Sequence, residues 1–286
     1  MNWTDRRARM RALLNGEGCI FPASVHDPVS ARLAQSIGFE AGMLAGSVAS
    51  LAVLGAPDLI LLTLSEFADL ALRINRATEL PVMADADHGY GNALNVMRTV
   101  QELEMAGISA LTIEDTALPR PFDETTARPL SIAEGLGKMK AAVAARSDPS
   151  LIILARTGAV SMTGLEDALE RIRAYETSGV DGIFLSGVRN KAEVAAIHAA
   201  TKLPVVLGTL APEIEDREFL AAHGVSIALQ GHSPFMATIE ALRATYQALR
   251  DGTKPADLKG QPSDGLVKEV SRDTEWRAAT NAFLMP

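Results

Sequence analysis

Eight short apolar runs, separated by stretches with helical periodicity, restrict the fold of this chain more than any other feature. Each run has four or five residues and is apolar at successive positions, which is typical of a strand buried on both faces of a parallel sheet. The runs are residues 19–23, 41–45, 81–84, 110–113, 151–155, 182–185, 204–207 and 226–229. Eight alternating strand and helix units predict an α/β protein, a (β/α)8 barrel.

Capping signals between the runs agree with this prediction. Thr63 followed by Glu66 and Thr163 followed by Glu166 are the spacing of a capping box at a helix start. An open, doubly wound sheet is the alternative. Eight units, and the absence of a glycine-rich turn after the first run, favour the closed barrel.

The predicted domain organisation is a catalytic barrel with an N-terminal helix over residues 1–251, followed by an extension over residues 252–286. The extension begins with a polar loop and continues with a helical pattern. We therefore expect an additional C-terminal helical segment, which packs on a neighbouring subunit.

Charge and composition exclude several classes of protein. The net charge of the 286-residue chain is −8, and its only basic cluster, around Arg6 and Arg11, is too short for a nucleic-acid site. One cysteine, Cys19, cannot form an internal disulfide or a cysteine-based zinc site. No apolar run approaches the roughly 18 residues of a membrane span, and the N-terminus has no signal-peptide pattern. We expect a cytoplasmic protein without nucleic-acid or membrane partners.

Acidic residues follow two neighbouring runs. Asp85 and Asp87 come directly after the third run, and Glu114 follows the fourth. In a (β/α)8 barrel the carboxyl ends of the strands carry the active site. Three carboxylates without a His or Cys set indicate Mg2+, with Mn2+ as the alternative.

Candidate anion-binding groups follow other runs. Arg156 ends the fifth run, where its guanidinium could grip a substrate carboxylate or pair with a neighbouring acid. The amides of Gly46 and Ser47 could hold an oxyanion, although a Gly-Ser pair is also typical of an ordinary turn. His232 follows the eighth run, and by itself it is compatible with a helix cap or a functional role.

The segment ADADHGYG, residues 84–91, resembles the metal-binding signature of the isocitrate lyase and phosphoenolpyruvate mutase superfamily. The resemblance continues in GMLAGSVAS, GAPDLILLTLSE, AGISALTIED and ILART, which occur in the order of the family. Residues 56–67 and 84–115, with the Gly231-His232 pair, are most similar to its oxaloacetate decarboxylase branch.

This resemblance implies roles for the residues that match. Asp85, Asp87 and Glu114 would hold Mg2+ directly or through water. Gly46, Ser47, Arg156 and His232 would bind the substrate, and Asp58 would be the functional aspartate of its loop. The family also implies a homotetramer, a dimer of dimers that exchange a terminal helix.

Two departures from family patterns bear on the reaction. The lyases of the superfamily carry a cysteine in the loop after strand four, whereas residues 116–123 read TALPRPFD. Many relatives have Asn or Asp after the Arg-Thr pair, where this chain has Gly158.

The predicted function is the Mg2+-dependent decarboxylation of oxaloacetate to pyruvate and CO2 through a stabilised enolate. In this reaction Arg156, His232 and Asp58 are the catalytic candidates, and the partner is a small 2-oxo dicarboxylate. The alternatives are cleavage of a C–C bond in another 2-oxo or 2-hydroxy acid, phosphonopyruvate-type chemistry, and a barrel that binds a metabolite without turnover.

Overall fold

The computed structural model describes residues 2–285, and its strands form the predicted (β/α)8 barrel. Its eight parallel strands pair in sequence order. Ile20 closes the barrel, because its N–H donates to Ser226 O at 2.9 Å and its carbonyl accepts from the N–H of Ala228 at 3.0 Å. The strands are β1 (Ala23–Ser24), β2 (Gly42–Leu44), β3 (Val82–Asp85), β4 (Ala110–Glu114), β5 (Ile152–Thr157), β6 (Gly182–Leu185), β7 (Val205–Thr209) and β8 (Val225–Leu229).

Seven of the predicted runs coincide with the strands, and the first differs. The prediction began strand one at residue 19, whereas β1 covers only Ala23–Ser24. Pro22 lacks the N–H that a continuous ladder would need. Pro22 therefore separates the isolated bridge between Ile20 and Ile227 from β1.

Helices connect the strands and continue beyond β8. Thr63 and Glu66 form the predicted capping box at α4. The box predicted at Thr163 is wrong, because Gly164 is the N-cap of the next helix and the Thr163 hydroxyl bonds Ala159 O. The helices are α1 (Trp3–Leu14), α2 (Pro28–Ile37), α3 (Gly46–Leu54), α4 (Leu64–Ala77), α5 (Ala93–Met105), α6 (Ile132–Ala145), α7 (Ala159–Met162), α8 (Leu165–Glu176), α9 (Lys191–Ala200), α10 (Arg217–Ala222), α11 (Ser233–Arg250), α12 (Asp264–Ser271) and α13 (Asp273–Phe283).

The N-terminal helix α1 is anchored by two buried arginines. Arg7 is 4% exposed; its Nε donates to Ile108 O at 3.0 Å and its Nη1 to Asp148 Oδ2 at 2.8 Å. Arg6 donates to Asn75 O at 2.6 Å. These bonds attach α1 to segments that precede β3, β4 and β5, at the end of the barrel opposite to the carboxyl ends of the strands.

The chain divides into two compact units, and the boundary along the sequence falls between Gly231 and His232. The first unit contains all eight strands. The second contains α11, α12 and α13, in which no described side chain is buried. The predicted domain boundary at residue 251 and the exchange of residues 252–286 between subunits stay predictions. Within residues 2–285, no helix is long and apolar enough to cross a membrane.

The ion pair between Arg7 and Asp148 predicts a loss of stability when it is broken. Replacing Arg7 with Met should lower the free energy of unfolding by about 3 kcal/mol, because Asp148 and the carbonyls of Ile108 and Glu104 lose their donor. Arg9→Met, on the exposed side of the same helix, is the matched control. Urea unfolding at pH 7 measures both variants, and an equal loss in the two would contradict the prediction.

The same pair predicts how this loss depends on pH. Burial alone would raise the pKa of Asp148, but hydrogen bonds from Ser150 and Arg7 outweigh it and hold the pKa well below its usual range. A carboxyl with a lowered folded-state pKa stabilises the protein above the unfolded pKa of about 3.9. The difference between wild type and Arg7→Met should therefore shrink as the pH falls below about 4.

Candidate active site

Three side chains from adjacent strands meet at the carboxyl end of the barrel. The register pairs Asp85 of β3 with Thr112 of β4, and Glu114 of β4 with Arg156 of β5. The Arg156 guanidinium forms an ion pair with Asp85 through Nη1, and its Nε lies 3.2 Å from Glu114 Oε2. The carboxylate side chains are only 13% and 9% exposed. The structure therefore brings together Asp85, Glu114 and Arg156, as the sequence predicted.

Asp87 joins this group through a tight turn after β3. Its φ is 47°, in the left-handed region where Asp is among the few residues that occur. Its N–H donates to Asp85 Oδ1 at 3.2 Å, and its carbonyl accepts from the N–H of Glu114 at 2.8 Å. The turn thus holds Asp87 beside both other acids.

Gly46 gives Asp87 the space that its carboxylate occupies. A Cβ on Gly46 would lie 2.7 Å from Asp87 Oδ2, so a larger residue would force the carboxylate away. Gly46 and Ser47 are the first residues of α3, and Ala45 supplies no side-chain cap. The first N–H groups of a helix have no acceptor within it, and they favour negative charge. This helix start can therefore bind an anion with the amides that the sequence singled out.

The charges of the group repel one another. Burial, together with the negative charges of Asp85 and Glu114, raises the pKa of Asp87 well above its usual range. Burial also raises the pKa of Glu114, against the effect of Arg156. Burial would lower the pKa of Arg156, but Asp85 and Glu114 reverse this and raise it, so the guanidinium stays charged.

The donor set fits a divalent cation. Three carboxylates face one guanidinium, so their full ionisation leaves two negative charges to be balanced; burial first, and then the charges of Asp85 and Glu114, raise the pKa of Asp87. Carboxylate oxygens are the ligands that Mg2+ and Mn2+ prefer. Within the described residues, no three His, Cys, Asp or Glu side chains already form a ligand set, and Arg156 forms ion pairs with both Asp85 and Glu114.

Three neighbours of the site were not identified from the sequence. Thr112 donates to Asp85 Oδ1 at 3.0 Å, a hydrogen bond from Thr116 lowers the pKa of Glu114 against the larger effect of burial, and the ring of Phe184 lies 5.3 Å from the Arg156 guanidinium carbon. Thr112 is two residues before Glu114 on β4, and alternation along the strand could have placed it on the same face. Phe184 is paired with Arg156 in the register of β5 and β6. This register cannot be read from the sequence.

The structure also bears on three other positions that the sequence singled out, Asp58, His232 and Gly158. The charge of Asp58 raises the pKa of Asp87, which puts Asp58 within electrostatic range of the group. His232 is the N-cap of α11 and belongs to the second compact unit, so its role stays a prediction. A Cβ on Gly158 would lie 2.5 Å from Met162 Cε and 3.2 Å from Ser186 Oγ. An Asn or Asp at this position would therefore have to displace Met162.

Comparison with known proteins identifies the family. The family model described as phosphoenolpyruvate phosphomutase matches residues 10–250. An oxaloacetate decarboxylase of Rhodopseudomonas palustris (strain BisB18) is 54% identical over 272 residues, which cover 95% of this chain and 94% of the relative. The chain therefore belongs to the phosphoenolpyruvate phosphomutase family, within the superfamily that the sequence resembled.

Solved structures are similar over nearly the whole chain. Phosphoenolpyruvate phosphomutase from Streptomyces platensis subsp. rosaceus has a TM-score of 0.88 at 30% identity, with 97% of this chain and 99% of that chain covered. A phosphonopyruvate hydrolase in complex with oxalate and Mg2+ has a TM-score of 0.87 at 30% identity, with 98% and 99% covered. These similarities confirm the barrel prediction.

Burial and charge repulsion at Asp87 predict that removing its charge raises stability and weakens metal binding. Asp87→Asn should raise the free energy of unfolding of the metal-free protein at pH 8 by on the order of 1 kcal/mol, since a buried charge is removed at a functional site. The same variant should lose the rise in melting temperature that Mg2+ gives wild type. Differential scanning fluorimetry with EDTA or MgCl2 measures both effects. A wild-type response to Mg2+ in the variant would count against Asp87 as a ligand.

Proposed function

We propose that this protein is an oxaloacetate decarboxylase, which converts oxaloacetate and a proton to pyruvate and CO2. The observation that carries the proposal is the convergence of Asp85, Asp87 and Glu114 around Arg156 at the carboxyl end of the barrel. The name and 54% identity of the Rhodopseudomonas palustris relative support the choice of substrate.

In the proposed site, Asp85, Asp87 and Glu114 hold Mg2+, or Mn2+, directly or through water. When bound, the metal ion supplies Lewis-acid polarisation of the 2-oxo group of the substrate. The phosphonopyruvate hydrolase with a similar fold was solved with oxalate and Mg2+, and oxalate has the shape of a pyruvate enolate. This similarity supports the metal and the type of intermediate.

The residues of the chain bind the substrate and stabilise its developing charge. Arg156 donates to the carboxylate next to the 2-oxo group, and Phe184 packs against its guanidinium. The C3–C4 bond breaks, the C4 carboxylate leaves as CO2, and its electron pair forms the enolate of pyruvate. The amides of Gly46 and Ser47 stabilise the enolate oxygen together with Arg156. A proton delivered to C3 then gives pyruvate.

His232 and Asp58 are the two remaining catalytic candidates. His232 orients the leaving C4 carboxylate or assists the protonation of C3. Asp58, whose charge acts on Asp87, is a candidate base in the loop after α3. No covalent nucleophile is required, in agreement with TALPRPFD at residues 116–123 in place of the lyase cysteine loop.

Phosphonopyruvate chemistry is the second candidate, because the similar structures include a phosphoenolpyruvate phosphomutase and a phosphonopyruvate hydrolase. A screen of oxaloacetate, phosphonopyruvate and substituted malates under the same conditions separates the candidates. Saturable binding of oxalate without turnover of any of them would instead favour a metabolite-binding barrel.

Asp85→Ala should abolish the activity, because it removes a metal ligand and the partner of Arg156. We expect a loss of at least about 100-fold in kcat, measured as pyruvate formed from oxaloacetate. A metal-only blank is necessary, since free Mg2+ decarboxylates oxaloacetate by itself. Asp69→Ala is the matched control, because Asp69 forms an exposed ion pair with Arg73. Undiminished rates in Asp85→Ala, or in wild type with EDTA, would refute the mechanism.

We also propose the homotetramer, a dimer of dimers that exchange the C-terminal helices, and a cytoplasmic location. Along α11, apolar side chains recur on one stripe and are 40–64% exposed: Met236, Ile239, Leu242, Tyr246 and Leu249. Exposed stripes of this kind are typical of an interface between subunits.

If this stripe is a subunit interface, charged substitutions in it should dissociate the proposed homotetramer. Wild type should elute with the mass of four chains in size-exclusion chromatography with light scattering. The double variant Ile239→Glu and Leu242→Glu should elute as a smaller species, because buried unpaired charge is costly at an interface. Glu240→Lys, on another face of the helix, is the control. A monomeric wild type would contradict the proposal.

A further inference from the structure

A buried polar network lies directly behind the proposed metal site. Asp115, the residue after Glu114, is 0% exposed, and its Oδ2 accepts from Tyr175 Oη at 2.6 Å and from Arg171 Nη1 at 2.9 Å. The mechanism above uses none of these three side chains. A buried ion pair contributes little net stability against an apolar replacement, so its presence beside the site calls for another reason.

The same guanidinium ties together both ends of a loop. Residues 116–129, which we call the flap, begin after Asp115 and end before Leu130. Arg171 Nη1 also donates to Leu130 O at 2.9 Å, and the N–H of Leu130 donates to Asp115 O at 2.6 Å. Within the flap, Thr116 and Pro129 form an antiparallel bridge. One arginine therefore fixes the residue before the flap and the residue after it.

Asp115 connects this network to the site. Its N–H donates to the carbonyl of Arg156 at 3.2 Å, and a hydrogen bond from its neighbour Thr116 lowers the pKa of Glu114 against the larger effect of burial. Glu114 directly precedes two residues that are held in place, Asp115 by Tyr175 and Arg171 and Thr116 by its bridge to Pro129. A shift of Asp115 would move the backbone of Glu114 and the carbonyl of Arg156 together.

The absence of a side chain at Gly135 allows Tyr175 to reach Asp115. Gly135 lies within α6, and a Cβ there would be 2.3 Å from Tyr175 Oη. Glycine inside a helix is unfavourable relative to alanine. Here it leaves the space through which the phenol reaches Asp115. Gly137, on the same helix, has no atom within 4 Å of its Cβ position, so it provides a matched control.

We propose that Tyr175 and Arg171 are positioning residues, which hold Asp115 so that Glu114 keeps the geometry needed to bind the divalent cation. This inference rests on the proposed metal site. Partners behind a metal ligand commonly change metal affinity by about 10- to 100-fold when they are removed. The effect should therefore appear in metal binding itself and not only in the turnover of the loaded enzyme.

The test is a Mn2+ titration of the full-length protein, in which electron paramagnetic resonance measures the free ion. Tyr175→Phe removes only the hydroxyl, and Gly135→Ala displaces it while Tyr175 remains. Both should raise the Mn2+ dissociation constant about tenfold or more. Gly137→Ala should bind Mn2+ as wild type does. Melting temperatures recorded in EDTA report the structural cost of each substitution separately.

The outcomes distinguish this inference from the function on which it rests. A wild type that binds no Mn2+ overturns the proposed metal site, and the inference with it. A wild type that binds Mn2+, with equal dissociation constants in Tyr175→Phe, overturns the inference alone, even if the melting temperature of the variant falls. If Gly135→Ala does not fold, Tyr175→Phe with Gly137→Ala decides the matter.

Discussion

The site depends on one guanidinium that faces three partly or fully buried carboxylates. Arg156 contacts Asp85 and Glu114, and its charge opposes the burial and the repulsion that together raise the pKa of Asp87. Two negative charges remain unbalanced, which is what makes the group suitable for a divalent cation. The same imbalance makes the group costly for the fold, as expected where a protein maintains a functional site.

The barrel makes this arrangement possible because its strands are parallel and adjacent. Residues that are far apart in sequence reach neighbouring positions at one end of the sheet, as Glu114 and Arg156 do through the register of β4 and β5. On the other side of β4, Asp115 is held by Tyr175 and Arg171. Two consecutive residues at the end of β4 thus serve the site and its support.

The sequence predicted the barrel, seven of its strands and the residues that converge around Arg156. Apolar runs of the right length predict buried strands because local alternation is absent when both faces are covered. The start of strand one was predicted too early, at residue 19 instead of Ala23, and Thr163 was predicted as a helix cap where Gly164 is the N-cap. Both errors concern the ends of short segments, where Pro22 interrupts the ladder and the Thr163 hydroxyl bonds Ala159 O.

The sequence by itself determined which residue types follow each strand, and with them the acidic and anion-binding character of one end of the barrel. Tertiary structure alone decided that Phe184 packs on Arg156, that Gly46 makes room for Asp87, and that Tyr175 reaches Asp115 past Gly135. The physical reason is that lateral register and close approach depend on contacts between distant segments. Such contacts leave no periodic pattern along the chain.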